Sequence, residues 1–150
     1  MTIKRYFLSL VLFFSLVVTA LAGGVGTWKN YLAYSDVQWV EEGGNKLYVL
    51  ASNSLYTYNK NDQSIKTYDK VNGLSDSDIR FIAWNKTARR LVILYSNNNI
   101  DLLDDRGNVT NVPDYYLKTT MADKIVNGID MSGVYCYLST GFGLVKLNVA

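Results

Sequence analysis

The sequence lacks histidine entirely and contains a single cysteine, Cys136, among its 150 residues. Without histidine, Ser-His-Asp and Cys-His catalysis and the common imidazole zinc sites are excluded. One cysteine also cannot form an internal disulfide, and Cys136 lies in a strand-like run between two tyrosines. We therefore expect a non-enzymatic protein with no cofactor and no metal, in which Cys136 is a small buried side chain.

Strong charge of either sign is also missing, with 15 basic against 13 acidic residues. Lys4 and Arg5 precede an almost wholly apolar stretch that ends in Ala20-Leu21-Ala22, the pattern of a cleaved secretory signal peptide over residues 1–22. Without residues 1–22 the chain has 13 basic and 13 acidic residues, so nothing favours a nucleic-acid partner. The sequence predicts an exported protein with no transmembrane segment after signal removal. An uncut signal anchor is the alternative.

Helical periodicity is absent after residue 23, and proline occurs only once, at Pro113. Tyrosine is abundant, with 12 residues, and short apolar runs alternate with turns rich in Asn, Gly, Asp and Ser. These features are typical of β-strands. The sequence therefore predicts an all-β fold, with room for one helical turn between Pro113 and Lys124.

A repeated hairpin organises the predicted strands. "LYVLASNSLYTY" begins at Leu47, "LVILYSNNNIDLL" at Leu91 and "VYCYLSTGFGLVKL" at Val134, so the starts are 44 and 43 residues apart. Each hairpin follows another short apolar run, and a fourth strand candidate precedes each of those. The candidates lie at 28–34, 64–68 and 109–116. Four short strands in about 43 residues are typical of a β-propeller blade.

We therefore predict that residues 23–150 form a partial β-propeller of about three four-stranded blades. The blades lie at about 28–68, 77–116 and 123–150, with outer strands shared between units. Propellers typically have 4–8 blades, and the sequence ends after the third strand of the third unit. We expect a fragment of a longer protein. Oligomerisation of the three units, or a small compact stack of sheets, is the alternative.

One segment carries a family resemblance. "VNGLSDSDI" at 71–79 resembles the segment that opens blades in two-component regulator propeller repeats, and Gly143-Leu144-Val145 is similar to the end of such a repeat. Together with the signal peptide, "WKNY" at 28–31 and "YSNNNIDLL" at 95–103, it is similar to the N-terminal propellers of PorZ-like proteins of type IX secretion systems in Bacteroidetes. The resemblance covers nearly all of residues 28–148.

The resemblance implies an exported scaffold or interaction module at the periplasm or outer-membrane surface of a Gram-negative bacterium. Its implied partners are proteins of a surface secretion and sortase complex that attaches cargo to anionic lipopolysaccharide, with lipopolysaccharide or another glycan as a further ligand. Full chains of that family also contain a second propeller and a C-terminal secretion domain. The alternative function is a periplasmic, glycan-sensing propeller of a hybrid two-component regulator.

Two groups of residues are candidates for contact with a ligand or partner. Asn97, Asn98 and Asn99 offer amides that can bond hydroxyl groups, and Tyr115 and Tyr116 offer rings that can stack on a sugar. The alternative for both groups is a polar loop and packing between blades.

The carboxylates between Asp101 and Asn108 could suggest calcium, but their spacing is not that of an EF-hand. We favour a hairpin turn whose Asp and Asn side chains bond their own backbone. A carbohydrate-active enzyme is disfavoured, because the sequence has no convincing pair of catalytic carboxylates.

Overall fold

The computed structural model describes residues 34–119 and 123–150. The predicted signal peptide and most of the strand candidate at 28–34 lie outside these residues. Within them, strands dominate and one short helix is present, which confirms the all-β prediction.

The strands form three antiparallel sheets in sequence order. The first sheet contains β1 (Val37–Gly43), β2 (Lys46–Ala51), β3 (Ser54–Asn59) and β4 (Ile65–Tyr68). The second contains β5 (Ile79–Asn85), β6 (Arg90–Tyr95), β7 (Ile100–Asp104) and β8 (Val109–Asn111). The third contains β9 (Val126–Ser132), β10 (Tyr135–Thr140) and β11 (Gly143–Asn148).

The segment after β8 differs from the strand predicted over 109–116. The strand ends at Asn111, and the helix α1 (Asp114–Leu117) follows Pro113. Proline has no N–H to donate to a strand ladder but is tolerated at a helix start, so the prediction was wrong beyond Asn111. The alternative expectation of one helical turn after Pro113 is confirmed.

Neighbouring sheets contact each other along their first strands and pack face against face. Strand β1 contacts β5, and β5 contacts β9, so the first strands of the three sheets lie side by side. A side-chain contact reinforces the first junction, because Trp84 N–H donates to Glu41 Oε2 at 3.2 Å. The fourth strands, β4 and β8, lie on the far edges of their sheets.

The second sheet is buried on both faces. Side chains on a strand alternate between faces, and in β6 Leu91, Ile93 and Tyr95 pack in a core shared with the first sheet, while Val92 and Leu94 pack in a core shared with the third. All five are fully buried. The unbroken apolar run at 91–95 follows from this position, since each face needs its own apolar residues.

Two turn glycines have positive φ, and the cysteine is buried as the sequence predicts. Gly44 and Gly107 have φ of 64° and 95°, the left-handed conformation that favours glycine in tight turns. Cys136 is fully buried in the core between the second and third sheets. Burial raises the pKa of its thiol to about 12, so the thiol is protonated and unreactive at neutral pH.

Among the described residues, no helix combines the length and the apolar character needed to cross a membrane.

Gly43 lies against the stacked rings of Tyr48 and Trp84, whose centroids are 5.2 Å apart. A Cβ atom at residue 43 would lie 2.7 Å from Tyr48 Cε2 and 2.8 Å from Trp84 Cδ2. We predict that Gly43→Ala lowers the free energy of unfolding by about 1–3 kcal/mol, because the rings must move out of their packed positions. Urea denaturation measures this change.

Gly141→Ala is the matched control, because its Cβ would have no contact closer than 3.6 Å. We expect that variant to change stability by less than about 1 kcal/mol. Equal stabilities of the two variants would contradict the packing role of Gly43.

Candidate functional site

The connections between sheets and the turns between second and third strands lie at one end of the molecule, here called the loop end. Antiparallel order sends each of these segments out of its sheet on the same side. Contacts join them, since Ile79 N–H donates to Asn53 O at 3.0 Å and Ser96 N–H to Asp78 O at 2.9 Å. The loop end therefore collects the chain's longest connections, where binding residues are commonly found.

The connection from β4 to β5 contains the segment that carries the family resemblance. Asp69 O accepts from the N–H groups of Asn72 and Leu74, each at 3.0 Å, and Gly73 between them has φ of 111°. This turn places Leu74, 5% exposed, in the core between the first and second sheets. Ser75 N–H then donates to Asp101 Oδ2 at 2.8 Å.

Asp101 is a fully buried carboxylate in β7, and three donors from the described part of the chain bond to it. Oδ2 accepts from Ser75 N–H and, at 2.6 Å, from Tyr95 O–H, while Oδ1 accepts from Asn111 Nδ2 at 2.8 Å. Burial and the bond to Asp101 raise the pKa of Tyr95 above its ordinary value, so the phenol remains a donor. A buried carboxylate without such donors would be strongly destabilising.

Sequence reasoning placed Asp101 in a polar turn and missed this role. The signal was present, because "NIDLL" puts one acidic residue inside an otherwise apolar strand. In the structure the turn begins later, at Asp104.

Asp104 organises the β7–β8 turn. Its Oδ1 accepts from the N–H groups of Arg106 at 2.9 Å and Asn108 at 2.8 Å, and Oδ2 accepts from Asn108 Nδ2 at 2.8 Å. Partial burial opposes ionisation, but these bonds together lower the pKa of Asp104. The interpretation as a backbone-bonding turn is confirmed. Within the described ranges, no group of three or more Cys, Asp or Glu side chains is placed to hold a metal ion.

The three asparagines predicted as contacts form the β6–β7 turn at the loop end. Asn97 Nδ2 donates to Asp76, and Asn97 Oδ1 accepts from Asn99 N–H at 2.9 Å. Asn99, 8% exposed, accepts through Oδ1 from Asn111 Nδ2 and Ile100 N–H, each at 3.0 Å. Asn98 has φ of 70°, and its side chain makes no hydrogen bond within the described part of the chain.

The two predicted tyrosines lie on α1, also at the loop end, and differ from each other. Tyr115 is 7% exposed, packs in the core between the second and third sheets, and donates its O–H to Lys124 O at 2.8 Å. Tyr116 is 48% exposed. Asn98 and Tyr116 are therefore the two predicted contacts whose side chains are free of a structural role among the described residues.

Paired polar groups cover much of the loop end. Asn53 Nδ2 donates to Asp78 Oδ1 at 2.5 Å, and hydrogen bonds from Asn53 and Ser96 lower the pKa of Asp78. Partial burial opposes ionisation of Asp76, but bonds from Ser77 and Asn97 and the charge of Lys70 together lower its pKa. Asp76 and Asp78 are therefore ionised at neutral pH, and both carboxylates are bonded to neighbouring side chains.

A groove of about 290 Å³ opens beside this polar surface, where β1 and β5 meet. Trp39 lines it and is 53% exposed, with its Nε1–H donating to Glu41 Oε1 at 2.8 Å. Arg80 and Phe81 lie on the facing strand, with the guanidinium 5.5 Å from the ring centroid. Trp and Arg are enriched among residues that dominate protein interfaces. Trp39, Arg80 and Phe81 were not among the predicted contacts, because they lie in short apolar runs that are typical of strands.

A larger cleft of about 550 Å³ lies at the opposite end, between the turns of the first two sheets. Its charges are mostly paired: Arg89 bonds Asp105 Oδ2 at 2.6 Å, Lys46 Nζ donates to Asp105 O at 2.7 Å, and Glu42 bonds Lys60 at 2.5 Å. None of the predicted contact residues lines this cleft.

Three stacked antiparallel sheets with adjoining first strands define a segment of a β-propeller. The chain belongs to the family of PorZ N-terminal β-propeller domains of the type IX secretion system, whose model matches residues 47–150.

Among solved structures, the chain is similar to PorZ of Porphyromonas gingivalis, with 36% identity and a TM-score of 0.77. That protein is described as an essential bacterial surface component of the type IX secretion system. The match covers 83% of this chain and 17% of PorZ.

The chain also resembles the extracellular domain of a one-component system from B. thetaiotaomicron, with 18% identity and a TM-score of 0.60. This match covers 80% of this chain and 16% of the other, and it supports the fold alone. No curated protein sequence matches.

We predict that Asp101→Asn lowers the free energy of unfolding by about 1–3 kcal/mol. The new amide retains one acceptor oxygen but turns an NH₂ group toward groups that are themselves donors. Asp105→Asn is the control, because it removes the same charge from an exposed ion pair with Arg89. We expect the control to lose less than about 1 kcal/mol in urea denaturation. Equal losses would show that the Asp101 network contributes no more than a surface pair.

Proposed function

We propose that this chain is a non-enzymatic, exported propeller module that serves as a scaffold and interaction surface in a type IX secretion assembly. The observation that carries the proposal is family membership, together with 36% identity to PorZ over 83% of this chain. Because the match spans only 17% of PorZ, the proposal concerns the module and not the whole of PorZ's role. The glycan-sensing alternative rests on fold likeness at 18% identity and is not favoured.

The proposed layout follows the sequence expectations. Residues 1–22 act as a cleaved signal peptide, and residues 23–150 form the propeller part, at the periplasmic or outer-membrane surface. Mass spectrometry of the exported protein tests the layout. It should find an N-terminus at Gly23, and an intact N-terminal segment would contradict it.

The loop end is the proposed contact surface for a protein partner of the secretion and sortase assembly. Tyr116 and the groove residue Trp39 supply half-exposed aromatic rings, which are favourable interface residues because they bury much apolar area with few rotatable bonds. Asn98 supplies an amide that has no hydrogen-bond partner among the described residues. The surrounding Asp and Asn pairs form a polar rim of the kind that surrounds interface cores.

A double variant, Asn98→Gly with Tyr116→Ala, tests this surface. Glycine accepts the φ of 70° at residue 98, so the turn is retained. In the bacterium that carries the gene, we expect an unchanged amount of exported protein. Recovery of co-purified secretion-system proteins after crosslinking should fall at least about tenfold, the loss expected when interface residues worth about 1.4 kcal/mol or more are removed.

Lys86→Ala, in the cleft at the opposite end, is the matched control and should leave co-purification unchanged. If Lys86→Ala loses the co-purified proteins and the double variant keeps them, the contact lies at the cleft end and not at the loop end. This result would contradict the proposal. If the double variant loses co-purified lipopolysaccharide but keeps the co-purified proteins, a glycan is the ligand of the loop end, and the protein-partner proposal is overturned. Measurable glycan hydrolysis by the pure protein would contradict the non-enzymatic role.

A further inference from the structure

The chain contains nearly the same tetrapeptide twice, Val-Asn-Gly-Leu at 71–74 and Val-Asn-Gly-Ile at 126–129. Asparagine before glycine is chemically labile, because the glycine nitrogen has no neighbouring side chain to block its approach to the asparagine amide carbon. Both asparagines are exposed. Solvent access is therefore similar, and any difference in reactivity must come from the backbone.

The second copy is held in a strand. Asn127 and Gly128 lie within β9, which pairs with β10 on both sides of a bulge at Asn127, with Val126 opposite Thr140 and Gly128 opposite Ser139. Ser139 Oγ donates to Gly128 O at 3.3 Å, and the preceding Val126 is fully buried. Closing a five-membered ring between Asn127 and Gly128 would require this segment to leave the sheet.

In the first copy, at 71–74, the N–H groups beside Gly73 are hydrogen-bonded, but the Gly73 nitrogen that would react is not. Asn72 and Gly73 lie in the connection between β4 and β5, outside any strand. The N–H groups on either side, of Asn72 and Leu74, both donate to Asp69 O. Among the described residues the Gly73 N–H donates no hydrogen bond, and a Cβ on Gly73 would meet no atom within 4 Å.

We propose that Asn72 is a site of spontaneous deamidation in the folded protein and that Asn127 is protected. The Gly73 nitrogen gives up its proton to solvent base and attacks Asn72 Cγ. The bond from Cγ to the side-chain nitrogen breaks, and that nitrogen takes a proton from water and leaves as ammonia. Water then opens the cyclic imide at either carbonyl, which yields aspartate or isoaspartate. Neither step involves an oxidant or a reductant.

The modification would act on the attachment between the first two sheets. The new carboxylate lies beside Asp69, which is 9% exposed and whose Oδ1 accepts from Asn72 N–H at 2.9 Å. Like charges so close repel. The isoaspartate form also lengthens the backbone by one carbon just before Ser75, whose N–H is bonded to buried Asp101. Asn72 is thus placed where a slow chemical change loosens the loop end.

The experiment incubates the whole protein at mildly alkaline pH, folded in buffer and unfolded in urea, and follows both peptides by mass spectrometry. In the folded protein we expect the Asn72 peptide to deamidate at least about tenfold faster than the Asn127 peptide, about 1.4 kcal/mol in activation free energy. In urea the two rates should agree within a few-fold, since the two tetrapeptides differ only in that Leu74 corresponds to Ile129.

Variants identify the site. Asn72→Gln should abolish the mass gain of the folded protein, and Asn127→Gln should leave it unchanged. Equal rates at the two sites in the folded protein would overturn the proposal. So would an Asn72 that stays intact when folded but deamidates in urea, and so would persistence of the mass gain in Asn72→Gln.

Discussion

The buried carboxylate of Asp101 is the constraint on which the loop end depends. Among the described residues it has no cationic partner, and its three donors there are a main-chain N–H of the inter-sheet connection, a phenol of β6 and an amide at the end of β8. These bonds join the connection to both halves of the second sheet. The carboxylate must be desolvated to occupy this position, so all three donors are needed to compensate. The fold therefore fixes where the connection at 69–78 runs.

Stacking of the sheets follows from the same geometry. The second sheet is buried on both faces, and the connection held by Asp101 inserts Leu74 into the core that it shares with the first sheet. The first strands of the sheets then meet side by side, and the groove lined by Trp39 and Arg80 forms where β1 meets β5. The proposed interaction surface thus depends on the joining of neighbouring blades. The hydrogen-bonded pairs Asn53–Asp78 and Asn97–Asp76 hold neighbouring turns in register.

Much of this architecture is predictable from the sequence, because strand alternation and the 43–44-residue spacing are local signals. The hairpins from Leu47, Leu91 and Val134 and the buried state of Cys136 follow directly. The five predicted contacts meet at the loop end, but their burial was not predictable. Asn99 and Tyr115 became structural through partners distant in sequence, such as Asn111 and Lys124. Asp101 and Trp39 were missed for the same reason, since long-range partners decide what a polar or aromatic residue does.

Amide hydrogen exchange at Ser75 tests the central claim most directly. Ser75 lies outside any strand, so only its bond to Asp101 can give its amide strong protection. The account predicts that the Ser75 amide exchanges at least about a hundredfold more slowly than the nearby Gly73 amide, after correction for intrinsic rates. Exchange at Ser75 as fast as at Gly73 would contradict it, because the connection would then open without disturbing the buried carboxylate.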